Sequence, residues 1–166
     1  AVIDSIMEQY EKACMDMNVV YGPYSVGKTY IAKELQNRLT SNHVVYLLGR
    51  LANESVHIRS IERGLDMPSG SFRTLEEALR RVFQMSVDKH MMFIIDDYPA
   101  LVDTAPQVPI LLRELMETYR DYGKMFVLLM GTHVDELKGR ILGESSLIAP
   151  YIHSHFKVEP FTLDDV

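Results

Sequence analysis

The chain has 166 residues, of which 47% are hydrophobic, 24% charged and 9% aromatic, enough for one folded domain that buries roughly 70% of its unfolded surface. That content excludes disorder, and no apolar run approaches the ~18 residues of a membrane-crossing helix. With 17 basic against 23 acidic side chains the net charge is −6, which disfavours broad non-specific nucleic-acid binding, and a single cysteine, Cys14, excludes an internal disulfide framework and a multi-cysteine zinc site.

A reducing, cytoplasmic setting is the simplest expectation. The chain opens at Ala1 with no initiator Met and no signal-peptide apolar core. It is therefore expected to be a piece of a longer protein. Without repeats, low-complexity tracts or Gly/Ser linkers, residues 1–166 are expected to form a single domain.

Taken in order, Ile3, Ile6, Met7, Tyr10 and Cys14 fall on one face of a first helix. Met17 to Tyr21 reads as a short strand running into Gly22, and Lys28 to Leu39 as a helix with Ile31, Ala32, Leu35 and Leu39 on one side. His43 to Leu48 is a second strand. Residues 49–73 are polar and broken by Gly64, Pro68 and Gly70, and they give no clear element. Thr74 and Glu77 fit a capping box ahead of a helix carrying Leu75, Ala78, Leu79, Val82 and Phe83. Met91 to Ile95 is apolar on both faces, as a strand covered on both sides must be. Pro109 suits the first turn of a helix with the stripe Leu111, Leu112, Leu115, Met116 and Tyr119, stopped by Gly123. Met125 to Met130 is another fully apolar strand; Val134, Leu137 and Ile141 form a short helical stripe; Phe156 to Glu159 alternates like an edge strand. Alternating strands and helices predict an α/β fold with a mostly parallel five-stranded sheet. Periodicity does not give the strand order.

Gly22-Pro23-Tyr24-Ser25-Val26-Gly27-Lys28-Thr29 matches G-x-x-x-x-G-K-[ST] between a predicted strand and a predicted helix. The glycines let backbone N–H groups curl around a polyphosphate, and the following helix adds its free N–H groups and positive dipole end. Lys28 can reach the terminal phosphates and Thr29 can ligate Mg²⁺. Asp96 and Asp97 end the most apolar strand. In an open parallel sheet, ligands lie at the carboxyl ends of strands, so both acids are expected near the phosphate loop. Asp96 would hold Mg²⁺ and Asp97 would polarise a water or accept its proton. The plainer alternative is that both acids end the strand and cap the segment containing Tyr98 and Pro99.

The segments Val20 to Thr29, Phe93 to Tyr98 and Leu129-Met130-Gly131-Thr132, with the ending Val158 to Asp165, resemble the archaeal-type ATPases, a group of AAA+ and STAND-like P-loop NTPases. The resemblance implies a three-layer fold with sheet order 5-1-4-3-2 and ATP or ADP as ligand. It implies a polar sensor residue at Thr132, which can equally cap the next helix, and adenine near the start of the loop, against Tyr24 or Tyr30. It also implies a C-terminal module beyond this chain. A homo-oligomer is compatible with the sequence, which does not fix the oligomeric state. Two departures stand out. The second acid is Asp97 where such ATPases usually carry Glu. Pro150 also stands where the family pattern has an arginine; Arg140 and Arg50 are stand-ins that read more simply as surface residues.

The expected function is a Mg²⁺-dependent ATP-binding and ATP-hydrolysing domain, weak in isolation, that drives or regulates an attached module. A slow or non-hydrolysing nucleotide switch is the alternative, and a small-molecule kinase a third. His153 and His155 flank Ser154 at strand spacing but lack a third metal ligand. Arg73, Arg80 and Arg81 lie among acidic neighbours and read as a solvated face rather than a nucleic-acid contact.

Overall fold

The computed structural model describes residues 2–12, 14–22, 25–39, 43–51, 53–131 and 147–158, apart from the side chains of Ser25 and Val26. Five strands, β1 (Asp16–Tyr21), β2 (Val44–Leu48), β3 (Met91–Asp96), β4 (Met125–Gly131) and β5 (Ile152–Lys157), form one sheet in the order β2-β3-β4-β1-β5. This is the implied 5-1-4-3-2 order, read from the other edge, and every described pairing is parallel.

Side chains alternate across a strand, so each inner strand feeds two cores. Met91, Phe93 and Ile95 of β3 and Met125, Val127 and Leu129 of β4 point to one face. There they meet α3 (Glu54–Gly64), α4 (Leu75–Asp88), α5 (Tyr98–Thr104) and α6 (Val108–Thr118), through residues such as Ile61, Val82, Leu101 and Leu112. Met92, Ile94, Phe126, Leu128 and Met130 point to the other face, against Ile6 and Tyr10 of α1 (Val2–Tyr10) and Ile31 and Leu35 of α2 (Ser25–Arg38). Two helical layers on one sheet make the three-layer α/β fold of P-loop NTPases. Burial on both faces is why β3 and β4 are apolar along their length.

Four elements differ from the sequence expectation; one is α5, a seven-residue helix that no sequence pattern announced. The first helix stops at Tyr10, so Cys14 is not on its apolar face; it lies beyond the helix and is exposed. The unreadable stretch contains α3, an 11-residue helix. The last strand is Ile152–Lys157 rather than Phe156 to Glu159. Ser154 and two histidines dilute its alternation, yet Ile152, Ser154 and Phe156 are its half-buried positions while His153, His155 and Lys157 are exposed. The helical stripe at Val134, Leu137 and Ile141 lies outside the described residues.

Candidate functional site

β1 delivers the chain to Gly22, where space is the constraint. The Val158 N–H donates to Tyr21 O at 2.8 Å, drawing the end of β5 against the start of the loop. A Cβ on Gly22 would sit 2.5 Å from Val158 O, and one on Gly27 would sit 2.9 Å from Val158 Cγ1. Both positions therefore require glycine for close packing. Lys28 lies in the first turns of α2, only 2% exposed, and its Nζ donates to Gly22 O at 2.6 Å. Burial lowers the ammonium pKa, while the carboxylates of Asp96 and Asp97 oppose that shift and favour the charged form.

That opposition brings together residues almost 70 positions apart in sequence. β3 and β1 flank β4, so the end of β3 and the loop after β1 share the carboxyl edge of the sheet. Asp96 closes β3 on the face of Ile94, beside Leu48 in the register. Tyr46 of β2 donates its hydroxyl to Asp96 Oδ2 at 2.6 Å. Burial first, and then the hydrogen bond to Asp96, push the Tyr46 pKa far above the usual tyrosine range, so this hydroxyl stays a donor.

Asp97 adopts φ 50° and ψ 54°, the left-handed region that Asp tolerates better than most residues. It occupies the N-cap position of α5, yet its side chain makes no capping hydrogen bond there. The capping alternative therefore does not hold for Asp97. Gly49 packs beneath this corner: its N–H donates to Asp96 O at 2.7 Å, and a Cβ would lie 2.6 Å from Asp97 O and 2.9 Å from Asp96 O. Neither Tyr46 nor Gly49 was singled out by the sequence. The available signals were one polar tip within an apolar strand and a glycine one residue after that strand ends.

Thr29 and Tyr30 are exposed on α2, Tyr30 to 51%. Pro23, Tyr24, Thr132 and Arg140 lie outside the described residues. Arg80 is engaged by Glu76 and Glu114 at 3.0 and 3.1 Å, as a solvated charged face requires. His153 and His155 lie on the exposed side of β5, with His153 Nδ1 3.9 Å from Asp16 Oδ1. Among the described residues no group of three or more His, Cys, Asp or Glu side chains is placed to hold a metal ion, and no helix is long and apolar enough to cross a membrane.

Comparison with known proteins agrees with this geometry. An uncharacterised protein of Methanocaldococcus jannaschii is 22% identical over 159 residues, covering 95% of this chain and 34% of that protein. The ORC2 protein of Aeropyrum pernix, solved in ADPNP and ADP complexes, superposes with a TM-score of 0.71 at 15% identity, over 94% of this chain and 46% of its own. A Walker-type ATPase of Pyrococcus abyssi gives 0.68 at 15% identity, over 98% and 54%. The chain thus spans about a third to a half of these proteins. The model of the ATPase family associated with various cellular activities matches residues 18–150, from β1 to the turn before β5, and the chain belongs to this AAA family.

Proposed function

We propose that this domain binds ATP with Mg²⁺ at the loop Gly22 to Thr29, hydrolyses it slowly, and thereby drives or regulates an attached module. One observation carries the reading: the Lys28 ammonium is buried and tethered to Gly22 O, within the field of both carboxylates that end β3. A buried lysine held at this point presents a positive charge toward the loop, the charge with which a polyphosphate pairs. The donor set also fits a magnesium nucleotide, with a cation for the phosphates, hard oxygen ligands for the metal and a helix N-terminus behind them. Loop backbone N–H groups from Gly22 to Gly27 would cradle the phosphates. The Thr29 hydroxyl and Asp96 would hold Mg²⁺, which would supply neutralisation of phosphate charge. Asp97 would accept the proton of the attacking water, Thr132 would sense the terminal phosphate, and Tyr24 or Tyr30 would lie against adenine. The ORC2 protein of Aeropyrum pernix, which shares this fold and was solved in ADPNP and ADP complexes, supports the choice of an adenine nucleotide.

A second reading, a nucleotide switch that scarcely hydrolyses, is favoured by two residues: Asp97, one methylene shorter than the usual Glu, and Pro150 in place of an arginine. A cytoplasmic location and self-association belong to the same proposal.

Calorimetric titration of the chain with ATP and Mg²⁺ tests the common part. Lys28→Ala is expected to weaken binding about tenfold or more. Equal affinities in wild type and Lys28→Ala would remove the central claim.

A further inference from the structure

We infer that Tyr46 is a positioning residue for the metal, fixing the Asp96 carboxylate so that one oxygen stays turned toward the nucleotide site. This rests on the reading of Asp96 as a metal-holding group. The geometry supplies the rest. Tyr46 reaches from the neighbouring strand β2, which the sheet register locks to β3 through Val45↔Phe93, Tyr46↔Ile94 and Leu47↔Ile95. Its ring packs half-buried against the core shared with α2, so the hydroxyl is carried on a fixed lever. The 2.6 Å bond to Oδ2 is short and charge-assisted, the stronger class of hydrogen bond.

A carboxylate at a strand end has two soft torsions and two equivalent oxygens. With Oδ2 engaged by Tyr46, rotation is blocked and Oδ1 is the oxygen left to receive a metal-bound water. Groups that orient a ligand in this way commonly change metal affinity by about 10–100-fold when removed. Arg50, exposed just past β2, is near enough for its charge to act on Tyr46, so this corner carries positive as well as negative charge. The tyrosine hydroxyl thus satisfies one carboxylate oxygen without adding a net charge that would compete with a cation.

The test is a Mg²⁺ titration of ATP binding, read calorimetrically, on the full chain as wild type, Tyr46→Phe, Asp96→Asn and the double variant, with parallel titrations of ATP in EDTA. Tyr46→Phe keeps the ring and its packing and removes only the hydroxyl. It is expected to raise the Mg²⁺ concentration for half-maximal binding about tenfold while leaving metal-free ATP affinity unchanged. The double variant is expected to match Asp96→Asn, because the tyrosine acts only through that carboxylate. If Asp96→Asn itself leaves the Mg²⁺ midpoint unmoved, the metal-holding reading fails and this inference falls with it. If Asp96→Asn moves the midpoint and Tyr46→Phe does not, only the positioning role is overturned. Additive effects in the double variant, or an equal loss of metal-free affinity in Tyr46→Phe, overturn it as well, since both describe a purely structural tyrosine.

Discussion

Asp96 and Asp97 are consecutive residues with the same side chain, and their surroundings separate them. Asp96 is the last residue of β3, on the α2 face, with one oxygen taken by the Tyr46 hydroxyl. Asp97 is turned by its left-handed backbone away from the strand direction and does not cap α5. A non-glycine residue held there costs of order 1–3 kcal/mol, a cost the surrounding packing must offset, and Gly49 packs beneath it where any Cβ would strike Asp97 O. Asn shares the tolerance of Asp for this conformation, so Asp97→Asn changes charge and basicity with little change of backbone. Under the proposed roles, Asp97→Asn leaves Mg²⁺-ATP binding intact and slows hydrolysis about 10²–10⁴-fold, whereas Asp96→Asn weakens the Mg²⁺ dependence of binding. Single-turnover phosphate release alongside calorimetry separates the two. Wild-type hydrolysis by Asp97→Asn would end its assignment as the base.

Among the elements, α4 was the most legible in sequence and α3 the least, although they pack against each other. The Thr74 hydroxyl accepts from the Glu77 N–H at 3.1 Å, and the Glu77 carboxylate accepts in return from the Arg73 N–H at 3.0 Å, so the capping box forms one residue wider than its usual reciprocal pair. Thr74→Ala is expected to lower stability by about 1 kcal/mol, read as a shift in the urea midpoint, and Thr74→Ser to restore most of it. An unshifted midpoint in Thr74→Ala would mean that the box is decorative. The helix α3 is illegible in the sequence because two of its four buried positions are His57 and Glu62, which break the apolar stripe with Ile58 and Ile61. The burial of Glu62 has a tertiary cause that periodicity cannot report. Glu62 accepts from the N–H groups of Ser71 at 2.7 Å and Phe72 at 3.3 Å, and Glu54 from that of Leu75 at 3.0 Å, so the connection to α4 is tied back along α3 by carboxylates. By contrast, β3 and β4 are readable because their unbroken apolar runs record burial on both faces, and the loop glycines because they stand at the fixed spacing of a phosphate-loop motif.

At the scale of the whole molecule, the site exists because of strand order, which no local pattern encodes. Inserting β4 between β1 and β3 sets Lys28 and the two acids around one edge, and the expected order came from family resemblance rather than from periodicity. An arginine that neutralises charge on the transferring phosphoryl group is worth roughly 10³–10⁵ in rate, supplied in cis or by a partner. Among the described arginines, Arg38 is paired with Asp4 and Glu34, Arg59 with Glu62, Arg80 with Glu76 and Glu114, and Arg113 with Glu117. Arg50 is close enough for its charge to act on Tyr46, which donates to Asp96, but it is exposed. The chain also spans only a third to a half of its relatives' length, so groups that complete a site in the longer proteins need not lie within it. ATP is therefore expected to bind measurably while steady-state turnover by these 166 residues stays below the ~1–10³ s⁻¹ typical of enzymes. A phosphate-release assay across a range of protein concentrations measures this. Turnover that climbs with concentration would point to an arginine from a second copy, whereas several turnovers per second from a verified monomer would show the domain to be catalytically complete and defeat the prediction.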